Sequence, residues 1–454
     1  MTVTTPPEGN TAVTRHGSVR IGPVSSEDAV GPGSVRRTVG PLGDPETVGW
    51  WEALWRPFWV LPAVVVALSV LAGVLLPLVD EHLLGDVDYL FGGNADSARS
   101  LLGTIASAMI SVTGLVFSIT MVVMQLASSQ FTPRLLSGFL GSRVVQVTLG
   151  VFISSFVFAL MVLRDVRAGG SPFVPQLSVT AAFGLVLASV ALFLAFIHHI
   201  TDSIRVDQVI DRIAAHTVRS LERGSAAEWD DTSAVPPSWA QQPGPTLTVT
   251  TGERHGVVQR VHYTGLVECA ERAGVVVELL TRAGEVRHRG QPLAIVHGAH
   301  AGDDVAEAVR DAVGLGRERT LQQDPEFGLR QLVDIAERAL SPGVNDPTTA
   351  VQVLDELHRV LRVAALRPDR SAYLVDGRGT VRVLDRPPTF AGMLDLALDE
   401  VAHYGADGLQ VPARIDALLQ DLELMARPEH AATVVAKRAD LRARHGGRHA
   451  GTDG

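Results

Sequence analysis

Between Phe58 and Ile197 the chain carries four long apolar stretches whose charges are confined to their borders. A helix needs about 20 consecutive apolar residues to cross a hydrocarbon core, because each residue rises ~1.5 Å across a thickness of ~30 Å. All four stretches meet that requirement and predict helices over about 58–79, 102–127, 144–164 and 177–200, within a transmembrane domain spanning 49–203. The first sits behind Trp50, Trp51, Trp55 and Trp59, indoles suited to the headgroup region. Four buried helices of a soluble protein are the alternative, and runs of this length without charge argue against it.

The second stretch has a pattern of its own. Thr104, Ser107, Ser111, Gly114, Ser118, Gln125 and Ser129 recur at three-, four- and seven-residue spacings. At ~100° per residue they fall within an arc of roughly 80°, a polar stripe on an otherwise apolar helix. Hydroxyls gain nothing from acyl tails, so the stripe is expected to face protein or water. Two explanations compete: close helix packing, the commoner use of small polar residues, and a water-filled path within one chain or where several chains meet. No ionisable residue lies in the core of any of the four helices, which counts against a proton-relay transporter.

Beyond the membrane segments the periodicity changes. From Ile204 to Leu221 it stays helical with alternating charge, and residues 225–247 are rich in Pro, Ser, Gln and Asp, so 204–246 reads as a helical stalk and linker. Short β-rich runs punctuated by glycines follow and predict a small β-barrel or sandwich module over 247–302. "Gly-Glu-Val … Gly-Gln-Pro-Leu" at 284–293 resembles the turn and strand of lipoyl-like modules, but the lysine that carries their prosthetic group is missing. Residues 303–446 are expected to be mainly helical, with helices over 303–314, 326–340 and 347–363 and a hairpin around Asp376-Gly377. The fold class is therefore an α-helical membrane protein with a C-terminal α+β region. Residues 1–48 and 447–454 read as disordered tails.

Charge sets the orientation and excludes partners. Arg36, Arg37 and Arg56 precede the first helix, Arg134 and Arg143 lie between the second and third, and Arg205, Arg212 and Arg219 follow the fourth. Positive flanks stay in the cytoplasm. This predicts a multi-pass protein of the cell inner membrane with both termini cytoplasmic, and Asp80, Glu81, Asp86, Asp88 and Asp96 crowd the first outward loop. A net charge of −10 gives no basis for a nucleic-acid surface. Lys437 is the only lysine and Cys269 the only cysteine, so neither an internal disulfide nor a thiolate zinc site is expected.

Two further places hold candidate chemistry. His198, His199 and Asp202 cluster at the end of the fourth helix, where a metal or pH-sensing role competes with a plain interfacial helix end. Ser341, Gly343, Asn345, Asp346 and Thr348 form a loop between two helices. Gly343 suits a helix exit and Asp346 an N-cap, while an exposed helix start could take an ion or small ligand. His255, His262, His288, His297 and His300 are scattered too widely for a metal site, and no metal or cofactor is expected. No Walker loop, nucleophile elbow, zinc-hydrolase helix or dinucleotide fingerprint is present in the sequence, so an enzyme is the least supported class.

"Ser-Ser-Gln-Phe-Thr-Pro-Arg-Leu-Leu" at 128–136, "Phe-Ile-His-His-Ile" at 196–200 and the blocks "Phe-Gly-Leu-Arg-Gln-Leu-Val-Asp-Ile-Ala" and "Ala-Leu-Ser-Pro-Gly-Val-Asn-Asp-Pro-Thr-Thr-Ala" within 327–350 stand out as specific. Together they resemble the bacterial predicted-membrane-protein family known as domain of unknown function 2254. The resemblance covers roughly residues 50–430; it implies the membrane architecture and no catalytic residues. The expectation that follows is a homo-oligomer in the lipid bilayer whose second helices meet around a polar path, with a cytosolic domain that assembles or gates it. The rival is a membrane-anchored sensor or scaffold whose cytosolic domain binds a partner or small ligand.

Overall fold

The computed structural model describes residues 59–82, 91–130, 143–167, 173–226 and 245–450. The apolar stretches fold as α1 (Val60–His82), α2 (Ala95–Gln130), α3 (Arg143–Asp165) and α4 (Gln176–Ile204). Each is long and apolar enough to cross a bilayer. The third helix is the centre of the bundle. It packs on α1, α2 and α4, and 56% of its apolar window is buried against 17% for α1 and for α4. Large aliphatic side chains such as Leu71 on α1 and Leu194 on α4 stay exposed, as lipid-facing surfaces require.

Small residues let these helices approach. A Cβ on Gly73 would come within 2.8 Å of the Met161 Cβ, and one on Gly150 within 3.1 Å of the Pro62 Cα, so α1 and α3 meet where there is no side chain. Ser69 Oγ donates to the Ser154 carbonyl at 2.8 Å, and the Ser155 and Ser189 hydroxyls join α3 to α4 at 3.1 Å. At the far end of α1, buried Asp80 accepts from the Leu177 and Ser178 amides, each at 3.1 Å, and from Ser178 Oγ at 2.8 Å. Helix α4 has no capping side chain of its own, so Asp80 satisfies its free N–H groups from another helix.

A single extended residue, Arg205 (φ −69°, ψ 115°), separates α4 from α5 (Val206–Ala226). Then follow β1 (Thr246–Thr250), β2 (Gly256–Val261), α6 (Tyr263–Ala273), β3 (Val276–Leu279), β4 (Val286–Arg287), β5 (Pro292–His297), α7 (Asp303–Ala312) and β6 (Val313–Gly316). The chain continues through α8 (Pro325–Ala339), α9 (Pro347–Ala365), β7 (Tyr373–Val375), β8 (Val381–Leu384), α10 (Phe390–Tyr404), α11 (Gln410–Met425) and α12 (Pro428–Ala450).

The strands of 247–302 do not pair only among themselves. One sheet runs β1-β5-β3-β8-β7 and a second β4-β2-β6. Strand β8, from the hairpin after α9, lies parallel to β3 with Val277 opposite Val383, and β6 lies antiparallel to β2. Burial alternates along β3, with Val277 and Leu279 pointing into an apolar core shared with Leu266, Val296 and Val309.

A second core joins α5, α8, α9, α10 and α11, with Ile210, Leu332, Leu354, Leu398 and Leu418 among its buried members. One face of α5 therefore belongs to this core. Gly328 of α8 makes the contact close, since a Cβ there would overlap the Thr217 side chain.

Candidate functional site

The polar stripe lies on the side of α2 turned away from the rest of the bundle. Thr104, Ser107, Ser111, Gly114, Ser118 and Gln125 are all exposed, whereas Ile105, Met109, Val116 and Val123 on the opposite side are buried. Among the described residues no other helix of the chain packs against the stripe. The Thr104, Ser107 and Ser111 hydroxyls each donate to the carbonyl four residues back, at 2.8, 2.9 and 2.9 Å, which meets their hydrogen-bonding needs along the helix. Ile110, Phe117 and Met121 flank the stripe on one side and Leu115 and Val122 on the other, all exposed. The outer face of α2 is thus a shallow trough of small residues between two apolar ridges. A Cβ added at Gly114 would meet nothing within 4 Å. Ser129 belongs to α2, but its side chain lies outside the described residues.

At the end of α4, His198 Nε2 stands 3.3 Å from an Asp202 carboxylate oxygen, an i,i+4 pair with the imidazole well exposed. His199 is half-buried beside it. Among the described residues no three His, Cys, Asp or Glu groups converge as metal ligands. Of the module's histidines, His297 pairs with Glu278 across neighbouring strands at 3.1 Å.

The loop between α8 and α9 is built as a helix junction. Its left-handed residue is Asn345 (φ 49°) rather than Gly343, a conformation that a short polar side chain tolerates. Asp346 caps α9, accepting from the Thr349 amide at 3.1 Å and from its hydroxyl at 2.5 Å. Those two bonds, the hydroxyl first, hold the Asp346 carboxyl below its ordinary range. Ser341 Oγ donates to the Arg338 carbonyl at 2.7 Å, and Thr348 lies in the first turn of α9.

Three features need a segment distant in sequence to complete them. Arg330 holds Asp334 at 2.7 Å, Glu337 at 3.2 Å and Glu400 at 2.5 Å, tying α8 to α10 with one cation among three carboxylates. Burial, with a hydrogen bond to Glu400, pushes Glu337 up to about 7, while that hydrogen bond and Arg330 hold Glu400 below its ordinary range. His358 bridges α9 and α11: Arg414 donates to Nδ1 at 2.9 Å, which fixes the proton on Nε2 toward Asp421 at 2.8 Å. Burial, with the adjacent guanidinium, lowers the proton affinity of that imidazole against the pull of Asp421. Finally, α10, α11 and α12 line a cavity of about 310 Å³ in which Ala402, Ile415, Leu419 and Leu441 stand beside the charged Asp399, Asp416, Arg438 and Arg442.

Four bilayer-length helices followed by an α+β region define a membrane protein. The chain belongs to the family described as predicted membrane protein, DUF2254, whose model matches residues 55–421. It is similar to uncharacterised proteins of Mycobacterium bovis and of two strains of Mycobacterium tuberculosis. Each is 34% identical over 381 residues, covering 81% of this chain and 71% of the relative. No solved structure matches.

Proposed function

We propose that copies of this chain associate in the inner membrane through the outer face of α2, and that the stripe borders a polar path for an ion or small polar solute. The observation that carries this reading is the exposure of Thr104, Ser107, Ser111, Gly114 and Ser118 at the middle of the lipid-accessible side of α2. A trough of small residues between apolar ridges suits a second helix, because close backbone approach is the main source of helix association in lipid. The C-terminal region, on the cytoplasmic side by the arginine distribution, then assembles or gates the path. The break at Arg205 supports such coupling, since one residue connects a bilayer helix to a helix of the C-terminal core.

Thiol accessibility tests the path. In a Cys269→Ala background, single Ser107→Cys, Ser111→Cys and Ser118→Cys variants are expected to react with a membrane-impermeant maleimide faster than Val116→Cys, which is buried, and Leu71→Cys, which faces lipid. If the stripe thiols react no faster than both controls, no water-filled path runs along α2.

The cavity among α10, α11 and α12 favours a second reading. In it the helices anchor a sensor, and a small, largely apolar ligand occupies that space, whose volume is within the range of small-molecule sites.

A further inference from the structure

The acids and the arginines of α5 occupy neighbouring but separate arcs of the helix. Asp211 pairs with Arg359 of α9 at 2.9 Å, and Glu222 reaches Arg367 just beyond α9 at 3.6 Å, so both acids turn toward the C-terminal core. Arg212, His216, Arg219 and Arg223 recur at spacings of four, three and four, which at ~100° per residue puts them within about 60° of one another. All four are exposed, and among the described residues none of the three arginines has an acidic partner. The stripe spans eleven residue steps, about 17 Å of helix. Arg212 and Arg219 share a shallow polar hollow of about 460 Å³ with Asp207 and Asp211, whose carboxylates lie to one side of the stripe. His216 registers the local field: burial, then Arg219, Arg212 and Arg223, lower its affinity for a proton.

One anionic surface necessarily lies close to this helix. Helix α5 begins a single residue after α4, whose bilayer-length segment ends at Asp202, and the extended Arg205 breaks the axis so that α5 need not run on along the membrane normal. We infer that the outer side of α5 lies against the membrane surface and binds anionic phospholipid headgroups through Arg212, Arg219 and Arg223. Guanidinium groups match phosphate oxygens with paired N–H donors, and basic residues just outside a membrane helix attract anionic lipid within a Debye length. The inference rests on the membrane assignment of α1–α4 and is independent of any association through α2.

The test uses the full-length protein in a neutral detergent, titrated with fluorescent phosphatidylglycerol and with phosphatidylcholine of the same acyl chains. The protein should prefer phosphatidylglycerol. The combined variant Arg212→Gln, Arg219→Gln, Arg223→Gln should lose that preference by on the order of 10- to 100-fold. The corresponding three Arg→Lys changes should largely keep it, as should Arg317→Gln with Arg378→Gln, which removes exposed arginines elsewhere. Equal binding of the two lipids by the unmodified protein would overturn the inference, as would an unchanged preference in the triple glutamine variant or an equal loss in the Arg317/Arg378 control. Displacement by millimolar inorganic phosphate as effective as by unlabelled phosphatidylglycerol would overturn it in favour of a soluble anion.

Discussion

Asp80 shows how one side chain can hold two membrane helices in register. Its carboxylate receives three hydrogen bonds at the start of α4, where Pro175 provides no capping group. Asp80→Ala should lower stability by about 1–2 kcal/mol, with Asp80→Asn milder, because a buried helix N-terminus then loses its acceptor and its countercharge. Thermal unfolding in detergent reads this directly, and an unchanged midpoint for Asp80→Ala would remove the capping role. The sequence places Asp80 among the acids of an outward loop, and nothing in its spacing reveals a partner 97 or 98 residues away. Asp346 is the opposite case. Its own chain neighbours, Pro347 and Thr349, complete the cap, so the residue pattern alone discloses it.

Among the elements, run length and lack of charge suffice to locate α1–α4, and Asp376-Gly377 suffices for the β7–β8 hairpin. Which strands pair is a different matter. The period-two pattern of β3 fixes the face it buries but cannot name β8, about a hundred residues later, as its parallel neighbour. The stripe of α2 behaves likewise: its members are legible at helical spacing, while the direction it faces depends on where α3 docks. Glycine substitutions separate the two kinds of helix surface. Gly150→Leu should destabilise the bundle by about 1–3 kcal/mol, since the new side chain would run into Pro62 and Val65. Gly114→Leu has open space within the chain and should leave the unfolding midpoint of the monomer unchanged while weakening association between copies. Analytical ultracentrifugation in detergent beside a thermal melt distinguishes the outcomes, and a Gly114→Leu protein that associates as the unmodified one does would argue against a contact at this face.

In the molecule as a whole, α5 follows a bilayer-length helix after the single residue Arg205 and is itself a member of the C-terminal core. The family blocks at 327–350 fall on α8, its junction and α9, where Gly328, the Arg330 carboxylate cluster and the Asp346 cap assemble that core. The proposed association is then to be tested on the outer face of α2. The most direct measurement is oxidative cross-linking in native membranes of the Cys269→Ala protein carrying Ser111→Cys, compared with the same protein carrying Leu71→Cys on α1. A covalent dimer is expected from Ser111→Cys and little from Leu71→Cys. A Ser111→Cys protein that cross-links no more than the Leu71→Cys protein would contradict it.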